Sequence, residues 1–173
     1  MRVSQATSFL DRSRLLPIHI DLTRTLPSRS LVELLCFHSE RVYALKIGHF
    51  DGLHKLFRRP LASLRVLEIT LPDRTYPVGL AVRSTAREFP ALTSLTIKDN
   101  CDAFDLRGSR ITHLHVITPT LGIKIKALLN LFRSCVLLEE LEIENEEWLE
   151  SDSVLLPDDE VIPLPHLRSF TFT

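Results

Sequence analysis

The sequence predicts an α/β protein in which about seven short parallel strands alternate with helical or irregular segments. The first observation is an apolar triplet at positions i, i+3 and i+5, which recurs along the 173 residues at spacings of 19 to 29 residues. The second is that longer strings recur around the triplet, since a Leu-x-x-Leu-Glu-Ile string stands at residues 64–69 and again at 138–143. The third is helical periodicity in several of the segments between the triplets.

The length of the repeat decides between two parallel α/β architectures. A βαβ unit needs more than about 30 residues, whereas leucine-rich repeats have about 20 to 29. A doubly wound nucleotide-binding sheet also requires a glycine-rich turn after its first strand, and the five glycines never form one. We therefore predict a leucine-rich-repeat solenoid of about seven units, a curved parallel sheet with irregular helices on its convex side.

The predicted strands follow the triplets from the N-terminus onward. Residues 1–14 form a short helical lead-in, and residues 15–173 form the leucine-rich-repeat domain. The predicted strands lie near 15–20, 42–47, 64–69, 92–97, 111–116, 138–143 and 167–172. Each strand carries apolar residues on one face, so each is expected to have one buried side.

Helices are predicted in four of the connecting segments. Apolar residues at helical spacing indicate helices over 28–39, with a capping serine at its start, and over 120–135. Weaker helical patterns cover 49–59 and 77–89. Prolines near its end indicate that the segment 149–164 is a loop.

Polar residues of the predicted strands mark a candidate binding surface. Positions i+2, i+4 and i+6 lie on the concave face, opposite the buried one. The candidate partner-binding residues on that face are His19, Lys46, Glu68, Lys98, His113, His115, Glu140, Glu142 and Glu144. In this register the two neighbouring histidines face the three glutamates from adjacent strands, about 5 Å apart. Two interpretations stay open: a patch that binds a basic segment of a partner, or a solvated stripe that keeps the sheet soluble.

The net charge of -1 hides a separation of charge along the chain. Residues 1–133 contain 20 basic and 11 acidic residues, whereas residues 134–173 contain 11 acidic residues and Arg168 as the one basic residue. The acidic end is either a docking surface for a basic partner or a solvated face with a polar loop. The basic part has no dense Lys/Arg cluster with interleaved aromatic residues, so nucleic-acid binding is not predicted.

Several functional classes lack their sequence signature. No run approaches 18 apolar residues and no apolar segment follows the first residues, so neither a membrane span nor a secretory signal is predicted. Three cysteines are too few for a disulfide scaffold, which indicates a reducing compartment, the cytoplasm or the nucleus. The G-x-S-x-G, P-loop and HExxH motifs are absent, so no catalytic residue and no cofactor are predicted.

Histidine, cysteine and tryptophan residues are the remaining candidates for a site. His113 and His115 could begin a metal site, but zinc requires three or four ligands. The sequence fixes no third ligand, although a glutamate across the sheet is conceivable, so no metal is predicted. Trp148 is either an exposed anchor for a partner or, as we prefer, packs over its loop. The cysteines are expected to be small packing residues: Cys36, Cys101 and Cys135.

Four strings share a pattern beyond the triplet. Residues 10–20 place an Arg-Ser pair before a strand that contains proline, and residues 60–69 read Pro-Leu-Ala-Ser-Leu-Arg-Val-Leu-Glu-Ile. Residues 135–143 and 164–172 repeat variants of the second string. Together these strings resemble the leucine-rich-repeat region of the F-box-like protein family of mushroom-forming (basidiomycete) fungi, and the resemblance covers nearly the whole chain.

The resemblance implies a non-enzymatic adaptor role. In that family the F-box docks on a cullin-linked ubiquitin ligase, and the repeats hold the protein that is to be ubiquitinated. The sequence contains no F-box before its first repeat, so the resemblance implies the recognition surface, and membership of a ligase requires an F-box upstream. Two alternatives are a truncated gene-model fragment without independent function and a small intracellular α/β enzyme, which a deep polar pocket would favour.

Overall fold

A seven-stranded, all-parallel sheet is the main feature of the computed structural model, which describes residues 3–23, 27–48, 56–57, 60–71, 85–99, 104, 106–118, 125–145 and 161–173. The strands are β1 (Ile18–Leu22), β2 (Val42–Ile47), β3 (Val66–Leu71), β4 (Ser94–Asp99), β5 (His113–Thr118), β6 (Glu140–Asn145) and β7 (Ser169–Phe172). Each strand pairs with the next one along the chain, so the open sheet runs in order from β1 to β7. The predicted α/β class is confirmed.

Helices precede several of the strands. Their bounds are α1 (Val3–Ser13), α2 (Arg29–Phe37), α3 (Thr85–Glu88) and α4 (Ile125–Ser134), with a 3-10 turn at Ser39–Arg41. Of the two candidate capping residues, Ser28 and Ser30, the structure has Ser28, whose hydroxyl accepts the backbone N–H of Leu31 at 3.3 Å. Among the described residues, no helix has both the length and the apolar character needed to cross a membrane.

Several predictions fall on positions that the structure does not describe. Of the weaker helical patterns, only residues 56–57 of the segment 49–59 and residues 85–89 of the segment 77–89 are described. Cys101, Trp148 and most of the predicted loop 149–164 also lie outside the described residues.

A repeated turn precedes four of the strands. In each turn a backbone N–H donates to the carbonyl three residues earlier, at 3.1 Å, joining Leu61 to Leu64, Phe89 to Leu92, Cys135 to Leu138 and Leu164 to Leu167. The second residue of each pair is the first apolar residue of the triplet. Because that residue closes the turn, the strand itself begins two residues later than the triplet predicts.

The hydrophobic core lies on one side of the sheet. The inward side chains of the three central strands are all at most 2% exposed: Leu67, Ile69, Leu95, Ile97, Leu114 and Val116. Val32 and Leu35 of α2 and Leu131 of α4 belong to the same apolar cluster. These helices therefore pack on the inward face of the sheet. We call the opposite face, with its polar side chains, the outward face.

The first strand lies two residues out of the predicted register. Ile20 is opposite Leu45 in the structure, whereas the triplet placed Ile18 there. Leu15, the predicted first apolar residue of that unit, is 95% exposed. The prediction was wrong because Ile18, Ile20 and Leu22 alternate, so two registers fit the same apolar pattern equally well.

The prediction that every strand has one buried side is also wrong at β7. Phe170 and Phe172 lie opposite the buried Leu141 and Ile143, yet they are 59% and 43% exposed. Within the described residues, β7 is the last strand of the sheet and pairs with β6 alone. The apolar pattern predicts the direction of these side chains, but their burial requires a further layer that the described residues do not supply.

Candidate functional site

The register of the sheet gathers the predicted polar residues into two groups on the outward face. We call the first group the lysine–glutamate cluster, which consists of Lys46, Glu68 and Lys98 on β2 to β4. We call the second the histidine–glutamate cluster, which consists of His113, His115, Glu140, Glu142 and Glu144 on β5 and β6. His113 lies opposite Glu140 and His115 opposite Glu142. The predicted alignment of histidines with glutamates is therefore confirmed.

In the lysine–glutamate cluster, Glu68 binds a lysine through each carboxylate oxygen. Lys46 Nζ lies 2.7 Å from Oε2 and Lys98 Nζ lies 2.9 Å from Oε1. The hydrogen bonds from Lys46 and then Lys98 lower the pKa of the Glu68 carboxyl, and partial burial opposes them more weakly. The hydrogen bond to Glu68 raises the pKa of Lys46. The carboxylate is thus fully paired by the chain itself.

In the histidine–glutamate cluster, the partners of the carboxylates are imidazoles. His113 Nε2 lies 3.5 Å from Oε2 of Glu140. His115 Nδ1 lies 3.8 Å from Oε2 of Glu142, and its Nε2 lies 3.1 Å from Oε1 of Glu144. In the described part of the chain, no lysine or arginine pairs with these three carboxylates. The cluster therefore has a charge of -3 when both histidines are neutral.

The imidazole of His115 is held between two carboxylates. Its side chain is 26% exposed, and each ring nitrogen faces a different glutamate. A neutral imidazole has one N–H donor, and an ionised carboxylate only accepts. One of the two contacts consequently brings a nitrogen lone pair toward a negative oxygen. A second proton on the ring, or a cation between the groups, relieves that repulsion.

Hydroxyl and amide side chains support both ends of β5, and sequence reasoning missed them. The Thr112 hydroxyl lies 2.8 Å from Nδ1 of His113, which leaves Nε2 of the ring for Glu140. The buried Thr118 hydroxyl donates to Oδ1 of Asn145 at 2.8 Å, across the β5–β6 pair. Thr112 follows the first triplet residue of its unit, whereas Thr118 and Asn145 both stand seven residues after theirs. The signal that could have found the second pair is a polar residue at this matching position of neighbouring units.

A concavity of about 370 Å³ lies over β4 to β7 on the outward face. His113, His115, Glu140 and Glu142 line it. The outward side chains beside them are hydroxyls, from Ser94, Thr96, Ser169 and Thr171. The concavity therefore presents imidazoles, carboxylates and hydroxyls to solvent, a lining suited to a cationic ligand.

His19 lies apart from both clusters. It is opposite Ala44, and its ring stacks on Tyr43 with the centroids 5.3 Å apart. The residue opposite Lys46 is Asp21, where the predicted register placed His19. The prediction that His19 continues the line of Lys46 and Glu68 is therefore wrong, and the two-residue shift of β1 is the cause.

Among the described residues outside the clusters, burial raises the pKa of two titratable groups. Cys135 is 1% exposed, and burial raises the pKa of its thiol to about 12, so it is protonated at neutral pH and is not a nucleophile. This confirms Cys135 as a packing residue. Burial also raises the pKa of Glu88, whose Oε2 has no hydrogen-bond partner in the described structure.

Comparisons with known proteins add no relative. No protein-family model matches the chain, and comparisons with curated proteins and with solved structures gave no match. The fold and the two clusters define an α/β protein with an open parallel sheet that exposes a charged outward face.

Proposed function

We propose that this chain is a non-enzymatic protein-recognition module whose outward face binds a basic segment of a partner protein. The observation that carries the proposal is the histidine–glutamate cluster, which brings five titratable side chains together on two adjacent strands, four of them lining one concavity. Its carboxylates have no lysine or arginine partner among the described residues, so their charge is available to a ligand.

We propose a leucine-rich-repeat solenoid as the architecture that presents this face. Three observations support it: the strictly sequential order of parallel strands, the spacing of 19 to 29 residues between triplets and the repeated turn before the strands. Solenoids stack short units so that each contacts its neighbours, which leaves one extended sheet face for binding.

We propose that the chain corresponds to the substrate-binding repeats of the F-box-like family that its sequence resembles. The support is the set of strings at residues 10–20, 60–69, 135–143 and 164–172. In that role the repeats would hold a substrate for a cullin-linked ubiquitin ligase, in the cytoplasm or the nucleus. The adaptor role requires an F-box upstream of these residues.

The spacing of the glutamates specifies the basic segment. Glu140, Glu142 and Glu144 alternate along β6, so their side chains repeat at about 6.6 Å. An extended peptide repeats its alternate side chains at the same distance of about 6.6 Å. A segment with lysine or arginine at every second residue therefore places one cation opposite each carboxylate, whereas consecutive lysines point alternately toward and away from the cluster.

Peptide binding tests this proposal. The probe is a fluorescent heptapeptide, Lys-Ser-Lys-Ser-Lys-Ser-Lys, and its control has the same composition with the four lysines consecutive. Fluorescence anisotropy at low salt should show that the native protein binds the alternating peptide more tightly than the control peptide. The variant Glu140→Lys/Glu142→Lys/Glu144→Lys should bind the alternating peptide at least about tenfold more weakly, since like charges then face each other.

A matched charge variant separates local from general electrostatics. Asp11→Lys/Glu33→Lys/Glu40→Lys changes the net charge by the same amount at exposed positions outside the sheet. We expect its affinity for the alternating peptide to change by less than about twofold, because distant exposed charges repel the peptide only weakly through solvent and salt. Equal weakening in both triple variants, or undiminished binding in the cluster variant, would contradict the proposal.

A further inference from the structure

Three side chains of the histidine–glutamate cluster converge between β5 and β6. His115, Glu142 and Glu144 each offer one ligand atom, and these atoms all lie within 4.8 Å of one another. Nε2 of His115 and Oε1 of Glu144 lie 3.1 Å apart. Two ligands of a tetrahedral zinc ion are about 3.4 Å apart, since each lies about 2.1 Å from the metal. The present separations extend up to 4.8 Å, so a tetrahedral ion requires the glutamate side chains, which are 49% and 44% exposed, to rotate toward His115.

We propose that His115, Glu142 and Glu144 form a binding site for one divalent transition-metal ion of the zinc type. Imidazole nitrogen and carboxylate oxygen are both ordinary zinc ligands, and three protein ligands with one water complete a tetrahedron. A neutral imidazole and two carboxylates carry a charge of -2, which offsets the charge of the ion. This proposal does not rest on the proposed function, because metal binding requires no peptide partner.

The surroundings of the three ligands favour a metal over an internal cation. Lys98 lies on β4, the strand next to β5, but its ammonium is 2.9 Å from the carboxylate of Glu68 and pairs with that residue. The ring of His115 has a nitrogen lone pair facing a carboxylate whenever it is neutral, and a metal ion bound to that lone pair removes the repulsion. His115 and Glu142 also line the concavity, so an ion reaches them from solvent.

The backbone holds the ligands in place before the metal arrives. The pairing of β5 with β6 sets His115 opposite Glu142 and Ile117 opposite Glu144. Ligands on paired strands lose less conformational freedom on binding than ligands on loops. The sequence left a glutamate across the sheet conceivable as a further ligand without fixing which one, and the register identifies Glu142 and Glu144.

Calorimetric titration with zinc chloride tests the site on the full chain. We expect one zinc ion per chain, and at least about tenfold weaker binding in His115→Gln, because a primary ligand is lost. Visible absorption of a cobalt(II) complex should show a tetrahedral spectrum in the native protein and lose it in the variant. His113→Gln is the matched control: it removes the neighbouring histidine of the same cluster, and its zinc affinity should stay within about threefold of native.

Three results would overturn the proposal: no saturable zinc binding by the native protein, equal binding by His115→Gln, or equal weakening in His113→Gln and His115→Gln. Far-ultraviolet circular dichroism checks that the variants fold. If His115→Gln does not fold, Glu144→Gln replaces it as the variant that lacks one ligand. The peptide assay is run with a chelator and the zinc titration without peptide. The two assays are therefore independent, so either proposal can fail without affecting the test of the other.

Discussion

The two clusters on the outward face have similar geometry and opposite electrostatic outcomes. Both bring carboxylates and titratable nitrogen groups of adjacent strands within 4 Å of each other. Glu68 receives an ammonium on each oxygen, so the lysine–glutamate cluster is neutralised from within. Glu142 and Glu144 share one imidazole, so the histidine–glutamate cluster keeps most of its negative charge.

Because the carboxylates of the two clusters are paired to different extents, we expect the clusters to have different roles. A carboxylate that is already paired offers little to a ligand, because a new cation must first displace a lysine. A carboxylate paired with neutral histidine gains from any cation that arrives, and its repulsion from neighbouring carboxylates is relieved at the same time. The lysine–glutamate cluster should therefore contribute to the stability of the sheet, and the histidine–glutamate cluster to ligand binding.

Replacing the histidines by lysines should make the second cluster resemble the first. In His113→Lys/His115→Lys, ammonium groups stand opposite Glu140 and Glu142, so the carboxylates become paired within the chain. We expect both the alternating peptide and zinc to bind at least about tenfold more weakly, a loss of about 1.4 kcal/mol or more. Fluorescence anisotropy and calorimetry measure the two affinities.

The control for this exchange is Ser8→Lys/Ser30→Lys, which adds two positive charges at exposed positions on α1 and α2, outside the sheet. Its affinities should stay within about threefold of native, since exposed charges at a distance are screened by salt. If the double lysine variant in the cluster bound peptide and zinc as tightly as the native protein, the contrast between the two clusters would have no functional meaning.

Much of the sheet could be predicted from the apolar pattern alone. Leu95 and Ile97 are fully buried where the triplet placed them, because alternation along a strand specifies one face. The pattern failed at β1, where Ile18, Ile20 and Leu22 allow two registers. It also failed at β7, because Phe170 and Phe172 have the right direction but no covering layer among the described residues.

Only those parts of the candidate site that depend on the pairing register of β5 and β6 could be predicted from the sequence. His113 and His115 face Glu140 and Glu142 as the spacing of the triplets predicts. Which atoms meet was not predictable, since the reach of Nε2 of His115 to Glu144 depends on side-chain rotation and not on sequence spacing. The sequence therefore allowed a cross-strand glutamate as a third ligand, but not the convergence of His115 with both Glu142 and Glu144.

A stability comparison should sharpen the contrast between the clusters. Glu68→Gln removes a carboxylate that pairs with two lysines and leaves two ammonium groups close together, so we expect the free energy of unfolding to fall by about 1 kcal/mol. Glu142→Gln, the matched variant on β6, removes a negative charge from a cluster that has an excess of it. We expect that variant to change the free energy of unfolding by less than about 0.5 kcal/mol.

Urea unfolding of the two variants and the native protein measures both values. High salt should reduce the effect of Glu68→Gln, because its ion pairs are partly exposed. A larger loss for Glu142→Gln than for Glu68→Gln would reverse the assignment of the clusters to stability and binding.

The smallest expected effect is the pH dependence of the contribution from Glu68. Folding lowers the pKa of its carboxyl, so its stabilisation is complete above the unfolded value of about 4.3 and is lost as the pH falls through the folded value. Folding raises the pKa of Lys46, so the stabilisation by Lys46 is complete below the unfolded pKa of about 10.4 and is lost as the pH rises through the folded pKa. The difference in unfolding free energy between native protein and Glu68→Gln should therefore be constant between about pH 6 and 9 and shrink below about pH 4. Urea unfolding across this range measures it, and a difference that grew on acidification would show that Glu68 is not held as a paired carboxylate.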